Sequence, residues 1–213
     1  MAGATKKATA KAQATGGKIL DAALELFQTQ GYDATTMRDI AARASVATGA
    51  AYYYFPSKDA IVMAFYQRTF DAMQPKIRRV LESPGSLEAR MRALFRVKIE
   101  HFGPNRAVLR GTLKYGADPS HPLSPFSEQT KALREMEIGW FRKIFAESGL
   151  RVPADLEVRI PEVLWLLHSG VIFFWIADES PRQINTKRLI DQSMNTVTAL
   201  LRLAGPTAVR EAS

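Results

Sequence analysis

The chain contains no cysteine among its 213 residues. Disulfides, thiolate metal sites and cysteine nucleophiles are therefore excluded, and a reducing compartment fits. Strand signals are equally scarce, since alternating β-branched runs and Asn-Gly hairpin turns do not occur. The most apolar run, Val163–Ala177, is 15 residues long and contains His168. A membrane-spanning helix needs roughly 20 such residues, so this run reads as a buried helix. The first fifteen residues lack the apolar core of a secretion signal, and the expected location is cytoplasmic. No His-x-x-x-His spacing or acid cluster suggests a metal, and no nucleophile–base pair or glycine-rich phosphate loop suggests an enzyme. No catalytic residue and no cofactor is expected.

Positive charge is plentiful, with a formal net charge of +8. An excess of this size invites nucleic acid or another anionic partner. Its distribution does not locate a site. Residues 1–60 carry seven Lys/Arg against five Asp/Glu, so most of the excess lies downstream. Lys6, Lys7 and Lys11 fall in an acid-free stretch, residues 1–16, that reads as a disordered basic tail. Such a tail solubilises the chain or adds phosphate contacts.

Helical periodicity fills most of the remainder. Ile19, Leu20, Ala23, Leu24, Leu26 and Phe27 form one apolar stripe of a helix from about Gly17 to Gln30, and Gly31 stands where a cap glycine belongs. A short helix starts after Thr36, whose hydroxyl pairs with Asp39 three residues on as a capping box. The turn 44–47 and a second short helix, 48–55, follow. Ser57 caps the next, a long helix to about Leu81. Further helices are expected at about 87–102, 105–116, 125–148, 154–178 and 186–204. Residues 206–213 read as a frayed end.

Two short helices joined by about four residues have helix-turn-helix dimensions, with the second suited to a DNA major groove. That helix ends Tyr52-Tyr53-Tyr54-Phe55. Three consecutive helical tyrosines point about 100° apart, so at least one hydroxyl faces outward. Beside Lys58 such hydroxyls suit phosphate contacts; the bland alternative is an aromatic plug between helices.

Residues 19–65 resemble the DNA-binding domain of the tetracycline-repressor (TetR) family. The resemblance rests on Ile19-Leu20-Asp21-Ala22-Ala23, Leu26-Phe27, Gly31-Tyr32-Asp33-Ala34-Thr35-Thr36, Asp39-Ile40-Ala41, Val46, Gly49, Tyr52-Tyr53-Tyr54-Phe55 and Ser57-Lys58-Asp59. It implies an all-α protein: an N-terminal three-helix head over residues 17–62, then a larger helical effector-binding and dimerisation domain over 63–205. It places Thr36, Arg38, Thr48, Tyr52, Tyr53, Tyr54 and Lys58 where the family contacts DNA. Tyr52 and Lys58 match phosphate-contacting positions, and Arg38 matches a position that reads a base in some members. Arg38 is alternatively a solvated charge. The chain departs from the family pattern at Ser45, where the turn usually has glycine, and at Ala47, where a hydroxyl usually caps the recognition helix.

The C-terminal block holds most of the aromatic residues. By the same resemblance it encloses a pocket for a small apolar or aromatic effector and forms a homodimer through its last two helices. Leu189, Ile190, Met194, Val197, Leu200 and Leu201 give the last helix a matching stripe. His101, Trp140, Trp165 and His168 are candidates for the pocket lining, although a buried histidine is more often a plain core residue. The expected function is a sequence-specific, DNA-binding transcriptional regulator, a repressor released by its effector from a palindromic operator. The alternative is a helical small-molecule-binding or protein-interaction module without direct gene control.

Overall fold

The computed structural model describes residues 2–205. Every regular element among them is helical: α1 (Ala2–Thr29), α2 (Met37–Arg43), α3 (Thr48–Tyr54), α4 (Lys58–Glu82), α5 (Leu87–Phe102), α6 (Arg106–Thr112), α7 (Lys131–Ala146), α8 (Ala154–Glu157), α9 (Ile160–Ala177) and α10 (Ile184–Leu203). Short 3-10 turns occupy Gly103–Asn105, Leu113–Tyr115 and Pro181–Gln183. The expected frayed end, 206–213, lies outside the described residues.

Three boundaries differ from the expectation for local reasons. Helix α1 begins at Ala2 rather than near Gly17. Alanine and lysine dominate residues 2–16, no proline interrupts them, and both are good helix formers. Residues 125–130 do not join α7. Ser124, Ser127 and Thr130 are buried there, and Thr130 Oγ1 donates to the Ser124 carbonyl at 2.7 Å, a local bond that competes with helix. The expected helix 154–178 is broken into α8 and α9, and Pro161 sits in the first turn of α9, where its missing N–H has no helical partner to lose.

The chain divides into two compact units, and the division is not a single cut after residue 62. One unit holds the residues up to Ala72 together with Phe102–Thr130; the other holds Met73–His101 and the residues from Lys131 onward.

In the first unit Ile19, Ala23, Phe27, Ile40, Ala51, Ile61 and Phe65 are almost fully buried. Each large side chain among them contributes about 1.5–3 kcal/mol on burial. The segment after α5 packs back on this core. Phe102 meets Phe65 edge-on at 5.6 Å, and Gln28 Nε2 donates to Asn105 Oδ1 at 2.7 Å. Gly111 lies against Tyr32, where a Cβ would come within 3.2 Å of the Tyr32 Cβ.

In the second unit α7 packs on α9, and Phe95, Phe141, Ile144, Leu164, Trp165 and Trp175 are buried. The buried Arg90 donates to the carbonyls of Val80 and Leu81 at the end of α4 and to Glu147 at 2.8 Å. These bonds satisfy helix-terminal carbonyls that have no amide partner of their own. Asp178 accepts from the Ser180 and Thr186 amides and the Thr186 hydroxyl, and these bonds hold its carboxyl well below the usual carboxylate range.

Helix α9 is long and apolar enough to cross a membrane by length and composition, yet 56% of it is buried within the protein. Leu164, Trp165, His168, Val171, Ile172 and Trp175 face the core. That is the pattern of a core helix.

Candidate nucleic-acid interface

The α2–turn–α3 hairpin is built by its caps. Thr36, in extended conformation, accepts from the Asp39 amide at 3.2 Å, while Asp39 accepts from the Thr36 amide at 2.9 Å and the Thr36 hydroxyl at 2.7 Å. This is the expected capping box, and its bonds lower the Asp39 pKa. Ile40, Ala41 and Ala51 seat the two helices on the core. The turn itself is strained. Ser45 sits at φ 56°, in the left-handed region that costs a non-glycine residue about 1–2 kcal/mol. Ala47 occupies the cap position of α3 with no side-chain hydrogen bond, so Thr48 is the first helical residue and does not cap.

Four polar or aromatic side chains of the hairpin stand exposed. Arg38 and Thr48 are exposed, Tyr52 is 51% exposed and Tyr53 is 84% exposed. The three tyrosines split as their helical spacing requires. Tyr54 is half-buried, with its ring about 3.6 Å from where a Cβ on Gly16 of α1 would lie, and Tyr53 stands edge-on to it at 5.4 Å. Tyr54 thus packs as the aromatic plug, and Tyr53 and Tyr52 project outward.

Lys58 is placed differently from a free surface cation. Its Nζ donates to the Tyr32 carbonyl at 2.6 Å and the Asp33 carbonyl at 3.3 Å, and lies 4.5 Å from the centroid of the Tyr32 ring. Partial burial lowers its pKa, although Asp33 and Asp59 oppose this. The Tyr32 hydroxyl in turn donates to Asp59. Burial first, and then this bond, push the phenol far above its ordinary value. Tyr32 also meets Tyr115 at 6.2 Å, which stacks flat on His121 at 3.7 Å, and Lys114 donates to both Asp33 oxygens at 2.8 Å. The network braces the loop after α1 against α4 and the 113–121 segment. Sequence reasoning missed it, and the one available signal was Tyr32 following the cap glycine, Gly31.

The four pocket candidates lie in the second unit and separate. Trp165 and His168 share the buried face of α9, and Trp165 Nε1 donates to Glu137 Oε2 at 3.0 Å. Trp140 is buried on α7, one residue before Phe141. His101 is half-buried, and its Nδ1 lies 2.8 Å from the Val97 carbonyl of its own helix. A shallow cavity of about 210 Å³ opens beside Arg79, Ser83, Pro84 and Arg90, and none of the four lines it. Glu137 and Lys98, a buried ion pair beside Trp165, were not selected from sequence. The signal was present, because Glu137 holds an apolar position of the α7 stripe at helical spacing from Phe141 and Ile144. Among the described residues no three His, Asp or Glu side chains cluster as a metal site requires.

A braced pair of short helices with exposed hydroxyls, an exposed arginine and a slim leading turn defines a helix-turn-helix DNA-binding head. Residues 19–65 match the family model described as bacterial regulatory proteins, tetR family, and residues 90–212 match that of the tetracyclin repressor-like C-terminal domain. The chain belongs to the TetR family of DNA-binding transcriptional regulators. It is 29% identical over 101 residues to the uncharacterized HTH-type transcriptional regulator YuxN of Bacillus subtilis, covering 47% of this chain but 35% of that one. It is 27% identical over 144 residues to the HTH-type transcriptional repressor KstR2 of Rhodococcus jostii, covering 66% of this chain and 70% of that one. Thermus thermophilus FadR, a TetR-family repressor solved in complex with lauroyl-CoA, superposes with a TM-score of 0.59 at 19% identity, over 93% of this chain and 98% of that one.

Proposed function

We propose that the chain is a cytoplasmic, homodimeric repressor that binds a palindromic operator and leaves it when a small apolar or aromatic effector occupies the C-terminal unit. The observation that carries this reading is the exposure of Thr48, Tyr52 and Tyr53 on α3 and of Arg38 on α2 of a braced hairpin. Large side chains held out in water, with a helix slim enough to approach a groove, are what a DNA surface requires. Thr48 and Tyr53 face the groove, Thr36 and Tyr52 meet phosphates, and Arg38 reads a base with its forked donors. Lys58 acts as a fixed charge at the rim, and Tyr54 acts by seating α3 on α1.

The dimer reading is supported by α9 and α10. Val163, Leu166 and Phe174 are exposed on α9 along a line that includes Gly170, and Leu200 and Leu203 are exposed on α10. Met194 of the expected stripe is instead buried in its own unit. An uncovered apolar face of this kind suits a second copy of the same chain, because a two-fold axis lays the same patch against itself. The effector then acts by favouring the DNA-incompetent state of a two-state equilibrium.

The test is a titration against the DNA upstream of the protein's own coding sequence at several salt concentrations. The expected result is two chains per duplex and an affinity that falls steeply with salt, as phosphate contacts release counterions. A single chain per duplex, or equal affinity for unrelated DNA at every salt, contradicts the reading.

A further inference from the structure

Residues 73–101 of the second unit carry seven Lys/Arg against three Asp/Glu, half of the chain's net charge of +8. Here α4 and α5 run antiparallel, with Lys76 Nζ 3.0 Å from Glu100 at one end of their seam and the shallow cavity at the other. Val80, Pro84, Ala89 and Ala93 line that cavity with apolar surface, and Arg79 and Arg90 border it. Arg96 follows Ala93 by three residues on the same side of α5. The guanidinium of Arg90 is engaged by Glu147 and by the Val80 and Leu81 carbonyls. Arg79 and Arg96 are exposed and form no ion pair among the described residues.

The complement of this surface stands on α8. Asp155, Leu156, Glu157 and Val158 are consecutive and all exposed, Leu156 by 43% and Val158 by 71%. Neither acid forms an ion pair among the described residues. The two features border each other. Arg202, near the end of α10, reaches Glu88 beside the cavity at 3.5 Å, and a Cβ on Gly205 would lie 2.9 Å from the Arg151 carbonyl oxygen. Helix α8 starts three residues after Arg151 and so leaves from the same end of the unit.

Size and chemistry choose the occupant. A cavity of about 210 Å³ is smaller than the roughly 300–1,000 Å³ of a pocket that encloses a small molecule, and it suits one apolar side chain. Arginine pairs with carboxylates through two parallel N–H groups. A nucleic-acid backbone brings phosphates but nothing apolar to fill the cavity. Among the described residues of 73–101 no large apolar side chain is exposed to enter a bilayer.

We propose that the cavity between α4 and α5 receives α8 of a second copy of this chain, with Leu156 in the cavity and Asp155 and Glu157 against Arg79 and Arg96. Cavity and insert share one end of the unit, so a two-fold axis lets each copy fill the other's cavity. The contact is separate from the exposed line on α9, and it brings dimers together. One apolar side chain and two ion pairs in each direction make a small interface, so the association is weak and reversible.

The test is sedimentation velocity of the full chain from about 10 µM to 1 mM. The expected result is a mass that doubles as concentration rises, with the doubling fading as salt is added. R79E/R96E and D155K/E157K are each expected to lose the doubling, because like charges then meet at both cavities. An equimolar mixture of the two variants is expected to regain it, because every cavity then meets an insert of opposite charge. Circular dichroism checks that both variants keep their helices. No doubling in the wild type overturns the proposal and leaves the cavity to an acidic segment of a different protein. Doubling that survives either charge reversal, or a mixture that does not associate, overturns it as well. The readout is the doubling and not the starting mass. A chain that starts as a monomer therefore contradicts the α9 dimer and leaves this proposal standing.

Discussion

Lys58 Nζ lies 2.6 Å from the carbonyl oxygen of Tyr32 and 4.5 Å from the centroid of the same residue's ring. One side chain at the start of α4 thus grips both the backbone and the ring of the loop that follows α1. The ammonium is a structural tie of the DNA-binding head as well as a positive charge near its rim. Lys58→Ala is expected to lower the melting temperature and weaken DNA binding together, because it leaves two carbonyls short of a donor. Tyr52→Phe, which removes only an exposed hydroxyl, is expected to weaken DNA binding with no change in melting. Thermal denaturation and DNA titration of both variants check the contrast, and unchanged melting of Lys58→Ala contradicts the bracing role.

The strained turn predicts a gain. Ser45 sits at φ 56° and Ala47 caps α3 without a side-chain hydrogen bond. Ser45→Gly relieves a left-handed conformation at some entropic loss, for a net gain of about 0.5–1 kcal/mol. Ala47→Ser supplies a cap worth about 1 kcal/mol. The sites are two residues apart in one turn, so the double variant need not be additive. Denaturant unfolding measures each gain. A loss of stability in Ser45→Gly contradicts the assigned strain.

The head was legible in the sequence because its signals are local. The capping box at Thr36–Asp39, the cap glycine at Gly31 (φ 87°) and the outward tyrosines follow from spacing and backbone chemistry within a few residues. What was not legible depends on distant pairs. Lys58 reads as a free cation until Tyr32, 26 residues earlier, folds beneath it. The return of residues 102–130 to the first unit rests on Phe102 meeting Phe65 and Gly111 meeting Tyr32, contacts that no periodicity announces. In the second unit the aromatic density was plain and Glu137 stood on the apolar stripe of α7, but its partner Lys98 lies 39 residues earlier on another helix, a pairing no local pattern announces.

His168 predicts a pH dependence. Its folded pKa is depressed well below 6.5, chiefly by burial, so below about pH 6.5 the unfolded chain binds a proton that the folded chain refuses. The stability attached to His168 is complete above that pH and is lost as pH falls, by at most about 1.4 kcal/mol per pH unit. His168→Phe is expected to flatten the stability profile between about pH 6.5 and 5. Denaturant melts across that window check it, and an unchanged slope contradicts the assignment.

The exposed line on α9 predicts an oligomer that one charge can break. Leu166 is 49% exposed beside Gly170, where an added Cβ meets nothing within 4 Å. Leu166→Glu is expected to convert a dimer to a monomer while leaving the helical content intact, because a carboxylate would face its own copy across a two-fold axis. Sedimentation velocity and circular dichroism measure the two properties. A dimer that persists in Leu166→Glu places the interface elsewhere.

The exposed side chains of α2 and α3 are expected to read DNA sequence. The most direct test is the ratio of affinities for the upstream operator and for a scrambled duplex of equal length, measured by anisotropy at about 150 mM salt. The wild-type chain is expected to give a ratio of about 10³ or more. Thr48→Ala and Tyr53→Ala are expected to lower that ratio at least about tenfold without altering the melting temperature. A ratio that stays the same in both variants, or a wild-type ratio near one, contradicts this expectation.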